Sequence, residues 1–124
     1  MAESLSRIPI RIRLLDIGEA PGEFNRLTAP LTVGDLVKQL PISGRTMPAQ
    51  DCVSVLLGLK RGAEKPVTSV ESGTIAYWPR QGSLCFYPKA TATYGPVSRV
   101  GTITSNVGLF DGLKTGSRIV IEKA

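Results

Sequence analysis

Histidine is absent from this 124-residue chain. That removes Ser-His-Asp and Cys-His nucleophile arrangements, imidazole metal ligands, and the side chain that most often acts as a general base near neutral pH. Cysteine is scarce as well. Cys52 and Cys85 are the 2 present, far apart and without a Cys-x-x-Cys spacing. Two thiols do not by themselves make a tetrahedral zinc site. They read either as small buried hydrophobes or as a disulfide pair, and the sequence leaves both open. Asn (Asn25, Asn106) and Gln (Gln39, Gln50, Gln81) are few, a composition that points mildly to a thermophilic source.

Long apolar runs are missing too. Stretches such as Val55-Leu56-Leu57 are far too short to span a bilayer as a helix. Met1-Ala2-Glu3-Ser4 lacks the basic and apolar regions of a secretory signal, so no membrane association and a cytoplasmic location are expected. There is no Gly-x-Gly-x-x-Gly and no P-loop to cradle a nucleotide phosphate. The carboxylates show no pair spaced for acid–base work. Asp35 reads as a helix-capping acid, Asp111 precedes Gly112 in a turn, and Glu19 and Glu23 flank Pro21-Gly22. No metal and no cofactor is implied.

What is present suits one globular domain over residues 1–124: 42% of residues are hydrophobic and 20% charged, enough to bury a core without staples. The net charge of +5 permits an anionic partner without requiring one. Basic residues are scattered singly, apart from Lys60-Arg61 and the alternating Arg11 and Arg13. A basic strand face near aromatic rings is a pattern that binds single-stranded nucleic acid. Ordinary strand polarity explains it as well, so nucleic acid is not the expected partner.

Residues 7–14 alternate strictly, with Ile8, Ile10, Ile12 and Leu14 on one side and Arg7, Arg11 and Arg13 on the other. This is a half-buried strand, and Pro9 on its wet side suggests an edge. Residues 18–22 read as a turn and 23–27 as a short returning strand. The one convincing helix covers residues 32–40, with Thr32 as N-cap, Asp35 in the capping box, an apolar stripe of Val33, Leu36, Val37 and Leu40, and Pro41 as the stop. Residues 42–48 look irregular or extended. Strands are expected at 52–57, 67–70, 74–78, 84–87, 98–104 and 118–122, a turn at 58–62, and a helical turn at 109–113. Many short strands, one good helix and frequent Gly and Pro turns predict a mainly β fold. The expected form is a closed or nearly closed eight-stranded antiparallel barrel with one main helix and a short helical turn.

Of the three Phe, three Tyr and one Trp, Tyr77, Trp78, Phe86, Tyr87 and Tyr94 crowd into residues 73–100, with Arg80 among them. Tyr77 and Trp78 are adjacent on a strand, so one should face inward and the other outward.

Gly73-x-x-Ala76-Tyr77-Trp78-Pro79, Leu84-Cys85-Phe86-Tyr87, Pro96-Val97-Ser98-Arg99-Val100-Gly101-Thr102-Ile103 and Gly116-Ser117-Arg118-Ile119-Val120-Ile121-Glu122 together resemble the small cyclophilin-like domains of archaea and some bacteria. These are mostly of unknown function. The resemblance covers nearly the whole chain and implies the same barrel. It also implies a possible chemistry, because cyclophilins are peptidyl-prolyl isomerases. An arginine donates to the prolyl amide and apolar rings hold the proline, against a rotation barrier of about 18–20 kcal/mol. That chemistry needs no histidine base. Arg45-Thr46-Met47-Pro48 resembles the Arg-x-x-Pro run that carries the cyclophilin arginine. Gly82-Ser83-Leu84-Cys85-Phe86-Tyr87 resembles the strand that supplies a proline-pocket aromatic, here Phe86. The motif that follows the arginine in cyclophilins is replaced by Ala49-Gln50-Asp51-Cys52. The pocket histidine falls near Val97, and the pocket tryptophan has no counterpart.

The expectation is a barrel that binds a peptide segment or small ligand, without acid–base chemistry, in a groove of Arg45, Trp78, Arg80, Phe86, Tyr87 and Tyr94. A divergent prolyl isomerase using Arg45 as the catalytic donor is one alternative. A structural or interaction module, homodimeric through an edge near Pro9, is another.

Overall fold

The alternation in residues 7–14 does build a strand. In the computed structural model, which describes residues 6–15, 17–49, 52–111, 113 and 116–124, β1 (Arg7–Leu14) buries Ile10, Ile12 and Leu14 and exposes Arg7, Arg11 and Arg13. It is followed by β2 (Gly18–Asn25), α1 (Pro30–Gln39), β3 (Ile42–Arg45), β4 (Met47–Ala49), β5 (Cys52–Leu56), β6 (Val67–Val70), β7 (Thr74–Trp78), β8 (Ser83–Phe86), β9 (Thr91–Ile103), a 3-10 turn (Val107–Phe110) and β10 (Arg118–Lys123). Every pairing is antiparallel. Among the described residues no helix is long and apolar enough to cross a membrane.

The ten strands lie in the order β3-β10-β1-β2-β9-β7-β8-β5-β4, with β6 added on β9. This corrects the expected eight-stranded barrel, because among the described residues no ladder joins the two ends of the path and the sheet is not closed. The two extra strands come from residues 42–49, read from the sequence as irregular or extended and found to be extended. The ends still meet without hydrogen bonds. β3 and β4 stand at opposite ends of the sheet yet are separated in sequence only by Thr46. Thr46 is buried; its amide donates to the Ser117 carbonyl at 2.8 Å and its carbonyl accepts from the Gly116 amide at 2.7 Å. Across the seam the Val55 side chain fills the space over Gly44, where an added Cβ would lie 2.8 Å from Val55 Cγ2. Glycine at 44 is what lets β3 come this close to β5.

Local expectations changed in three places. Residues 18–22 are strand rather than turn, because Pro21 and Gly22 pair with Arg11 and Ile10. β1 is flanked by β10 and β2 rather than lying at the edge of the sheet, and its ladder with β10 begins at Ile10. The helix begins at Pro30, not Thr32. Its N-cap is Ala29, which offers no side-chain cap.

Two apolar clusters result. The inner one gathers Ile12, Phe24, Leu36, Tyr77, Leu84, Phe86 and Phe110 among others, with the Phe86 and Phe110 rings stacked at 5.1 Å and 16°. The second lies on the opposite face of β7 and β8, where Ala76, Cys85 and Tyr87 meet Val70 and Val97, flanked by Trp78, Cys52 and Val67. β9 is long enough to serve both, pairing with β2 and β7 at one end and β6 at the other.

Gly44→Ala is expected to cost about 1–3 kcal/mol in urea unfolding, and clearly less in a Val55→Ala background. An equal cost in both backgrounds would show that the two strands do not press together at the seam.

Candidate functional site

The sequence gives residues 57–66 no periodicity, and they form no regular structure, yet they are held at several points. Tyr77, fully buried on the inner face of β7, donates its hydroxyl to the Leu59 carbonyl at 2.7 Å. The Leu57 amide donates to the Gly82 carbonyl at 3.0 Å. Arg61 Nε donates to Asp35 Oδ2 at 2.7 Å, and Nη2 contacts the same oxygen. The Glu64 carboxylate takes the amides of Leu31 (3.1 Å) and Thr32 (2.9 Å) and the Thr32 hydroxyl (2.8 Å), while the Glu64 amide donates to Ser98 Oγ at 2.7 Å.

The helix cap therefore comes from a residue 32 positions away. A carboxylate at a helix N-terminus satisfies otherwise unpaired amides and complements the dipole. Thr32 and Asp35, expected to cap locally, instead donate to Glu64 and hold Arg61. Partial burial pushes the Glu64 carboxyl upward, but the bonds from Thr32 and Leu31 and the Arg61 charge outweigh it. Its pKa falls below the ordinary 4.5.

Between this loop and the β7–β8 turn lies a cleft of about 350 Å³ lined by residues 58–61 and 79–82. Leu59 and Pro79 supply apolar wall; Lys60, Arg61, Arg80 and Gln81 supply donors. Gly82 has φ +64°, and an added Cβ would lie 2.7 Å from the Leu59 carbonyl oxygen, so only glycine lets the two walls approach this closely. Arg61 is neutralised by Asp35, whereas Lys60 and Arg80 are exposed and make no ion pair among the described residues. The cleft is therefore electropositive with no carboxylate in its lining. It can hold an anion, and it contains no group able to shuttle a proton near neutral pH.

The expected groove is dispersed over separate places. Arg80 lies in the cleft. Phe86 is wholly inside the core, stacked on Phe110, because its position on β8 faces inward. Trp78 and Tyr87 point the other way, into the second cluster, and Tyr77 points in, as the alternation requires. Arg45 is exposed on β3 and donates to the Gly116 carbonyl at 3.1 Å. It lines a different hollow with Leu15, Ser43, Arg118 and Val120. Among the described residues no ring lines that hollow, and Phe86 is buried in the core, so Arg45 and Phe86 do not form the donor-and-pocket pair an isomerase would require. Tyr94 sits in β9, but its side chain falls outside the described residues. Lys60 and Arg61 were legible only as a basic turn. Gln81 and Glu64 carried no signal, since their partners are distant in sequence.

Comparison with known proteins follows the fold. The family model described as cyclophilin-like matches residues 8–122. A hypothetical protein from Archaeoglobus fulgidus, known from a solution structure, superposes with a TM-score of 0.75 at 24% identity, covering 100% of both chains. McbB, solved in complex with tryptophan, superposes with a TM-score of 0.72 at 14% identity, over 92% of this chain and 44% of McbB. These likenesses speak to fold alone. No curated protein matches the chain.

Glu64 has a depressed folded-state pKa, so its stabilisation is complete above the unfolded value near 4.5 and is lost as pH falls through the lower folded value. Glu64→Gln is expected to lower stability by about 0.5–1 kcal/mol at neutral pH. The difference from the parent should shrink below pH 4.5 in urea melts. A gap that persists unchanged at low pH would refute the charge-based cap.

Proposed function

The chain belongs to the cyclophilin-like family, and from that premise we propose that it is a noncatalytic binding domain. Its ligand is a small molecule or short peptide segment bearing a carboxylate or phosphate, and its site is the cleft between residues 58–61 and 79–82. The observation that carries this reading is the pair of cations, Lys60 and Arg80, without an ion-pair partner among the described residues, set in a walled cleft with Gln81, Leu59 and Pro79. The volume is at the lower end of small-molecule pockets. McbB, 44% of which shares this fold, is itself solved in complex with tryptophan, a small carboxylate-bearing molecule.

Both cations are solvent-exposed, so each contact is worth little in water and the complex is weak and salt-sensitive. Rigidity offsets part of this. The loop is already tied to Tyr77, Asp35 and the helix start, so little ordering remains to be done on binding. Ligand selection then rests on charge and on the reach between Lys60 and Arg80.

Titration of the whole chain with inorganic phosphate and with a capped glutamate-rich peptide, followed by amide NMR at low salt, tests this. Shifts should concentrate in residues 59–61 and 80–82. Arg80→Ala should weaken binding about two- to fivefold, equivalent to ~0.4–1 kcal/mol. Silence of those amides at about 10 mM ligand, well above the micromolar-to-millimolar range of weak sites, overturns the assignment.

A further inference from the structure

We propose that Cys52 and Cys85 form an oxidisable dithiol on the outer face of β5 and β8, which a hydroperoxide converts to an intrachain disulfide. The register places them. Cys85 stands opposite Ser54, and Cys52 lies two residues before Ser54 on β5, so the two cysteines are diagonal neighbours on the same sheet face. They belong to the same apolar cluster, and neither is in a disulfide. The Cys52 and Cys85 side chains are hydrogen-bonded to each other, and the Tyr87 side chain bonds to both. The pair is thus in contact before any chemistry occurs.

The two thiols are not equivalent. Cys85 is buried at 1% exposure. The bond to Cys52, with burial added, pushes its pKa far above the ordinary thiol range, so it stays protonated. Cys52 is only partly buried and is the thiol a small oxidant can reach. The sequence of steps follows. The Cys52 sulfur attacks a peroxide oxygen, the O–O bond breaks, and Cys52 becomes a sulfenic acid with release of water. The Cys85 sulfur then attacks the Cys52 sulfur, the S–O bond breaks, and a second water leaves. Overall two thiols and one hydrogen peroxide give one disulfide and two waters.

Closure draws the sulfurs from contact to about 2.05 Å. The movement falls on β5, whose remaining ladder partner is the three-residue β4 at the unsealed end of the sheet. β5 also runs directly into the loop that walls the cleft, although the dithiol does not depend on the cleft binding anything.

The purified whole chain is treated with hydrogen peroxide, then unfolded and alkylated without reductant. The expected product is lighter than the reduced chain by about 2 Da, resists alkylation at both positions, yields a 52–85 cross-linked peptide, and melts several degrees higher. Cys52→Ser should leave Cys85 resistant to peroxide. Cys85→Ser should stop at a Cys52 sulfenic acid trapped by dimedone. Three results overturn the proposal: both thiols of the parent remaining alkylatable, Cys52 passing to the sulfinic acid while Cys85 stays free, or Cys85 in Cys52→Ser oxidising as fast as Cys52 in the parent.

Discussion

A chain that crosses from one end of a sheet to the other within a single residue leaves the sheet no choice but to curl. Thr46 imposes that constraint here. β3 and β4 are outermost in the strand order and adjacent in sequence, so the strands between them must wrap until the ends touch. The wrapping creates an interior, which Phe24, Phe86 and Phe110 fill, and α1 adds Val33 and Leu36 to it. It also explains why side-chain packing at Gly44 and Val55 can replace a final ladder. Closure by covalent connection needs no hydrogen-bonded seam, and a strand pair left without one retains local freedom.

The cleft depends on this interior through one atom. The Tyr77 hydroxyl is the point at which the filled core reaches an otherwise irregular loop, and the Asp35–Arg61 and Glu64–helix contacts fix the same loop from the side. Loops of this length without regular structure commonly carry function, and their polar backbone has to be satisfied somewhere. Here the Tyr77 hydroxyl on β7, the Ser98 hydroxyl on β9 and the Gly82 carbonyl meet it, and Lys60 faces solvent beside Arg80.

How much of this the sequence disclosed depends on the range of each interaction. The alternation of Arg7 to Leu14 and the apolar, β-rich runs at Cys52, Thr74 and Arg118 showed their strands directly, because strand periodicity is local. The ordered motifs around Tyr77-Trp78-Pro79 carried the family. Helix capping was misread because Thr32 and Asp35 are typical local capping residues, and nothing near them signals that Glu64 will arrive from the far side of three strands. The open ends were missed for a similar reason, since closure is a property of pairing and not of any strand. The expected groove failed on alternation. Phe86 and Tyr87 are sequence neighbours, so a β-strand must send them to opposite faces, and with them went the idea of one shared site.

The β7–β8 hairpin is sealed on both sides, by the inner cluster beneath and by β6 and β9 above. Positions 74–77 and 83–86 are all buried and none can take a charge without a steep penalty, but the turn between the strands is free of both layers. Residues 79–81 can therefore drift during evolution while the hairpin that carries them stays fixed. Domains of this fold can in this way acquire new specificities by exchanging a few turn residues on an unchanging stem.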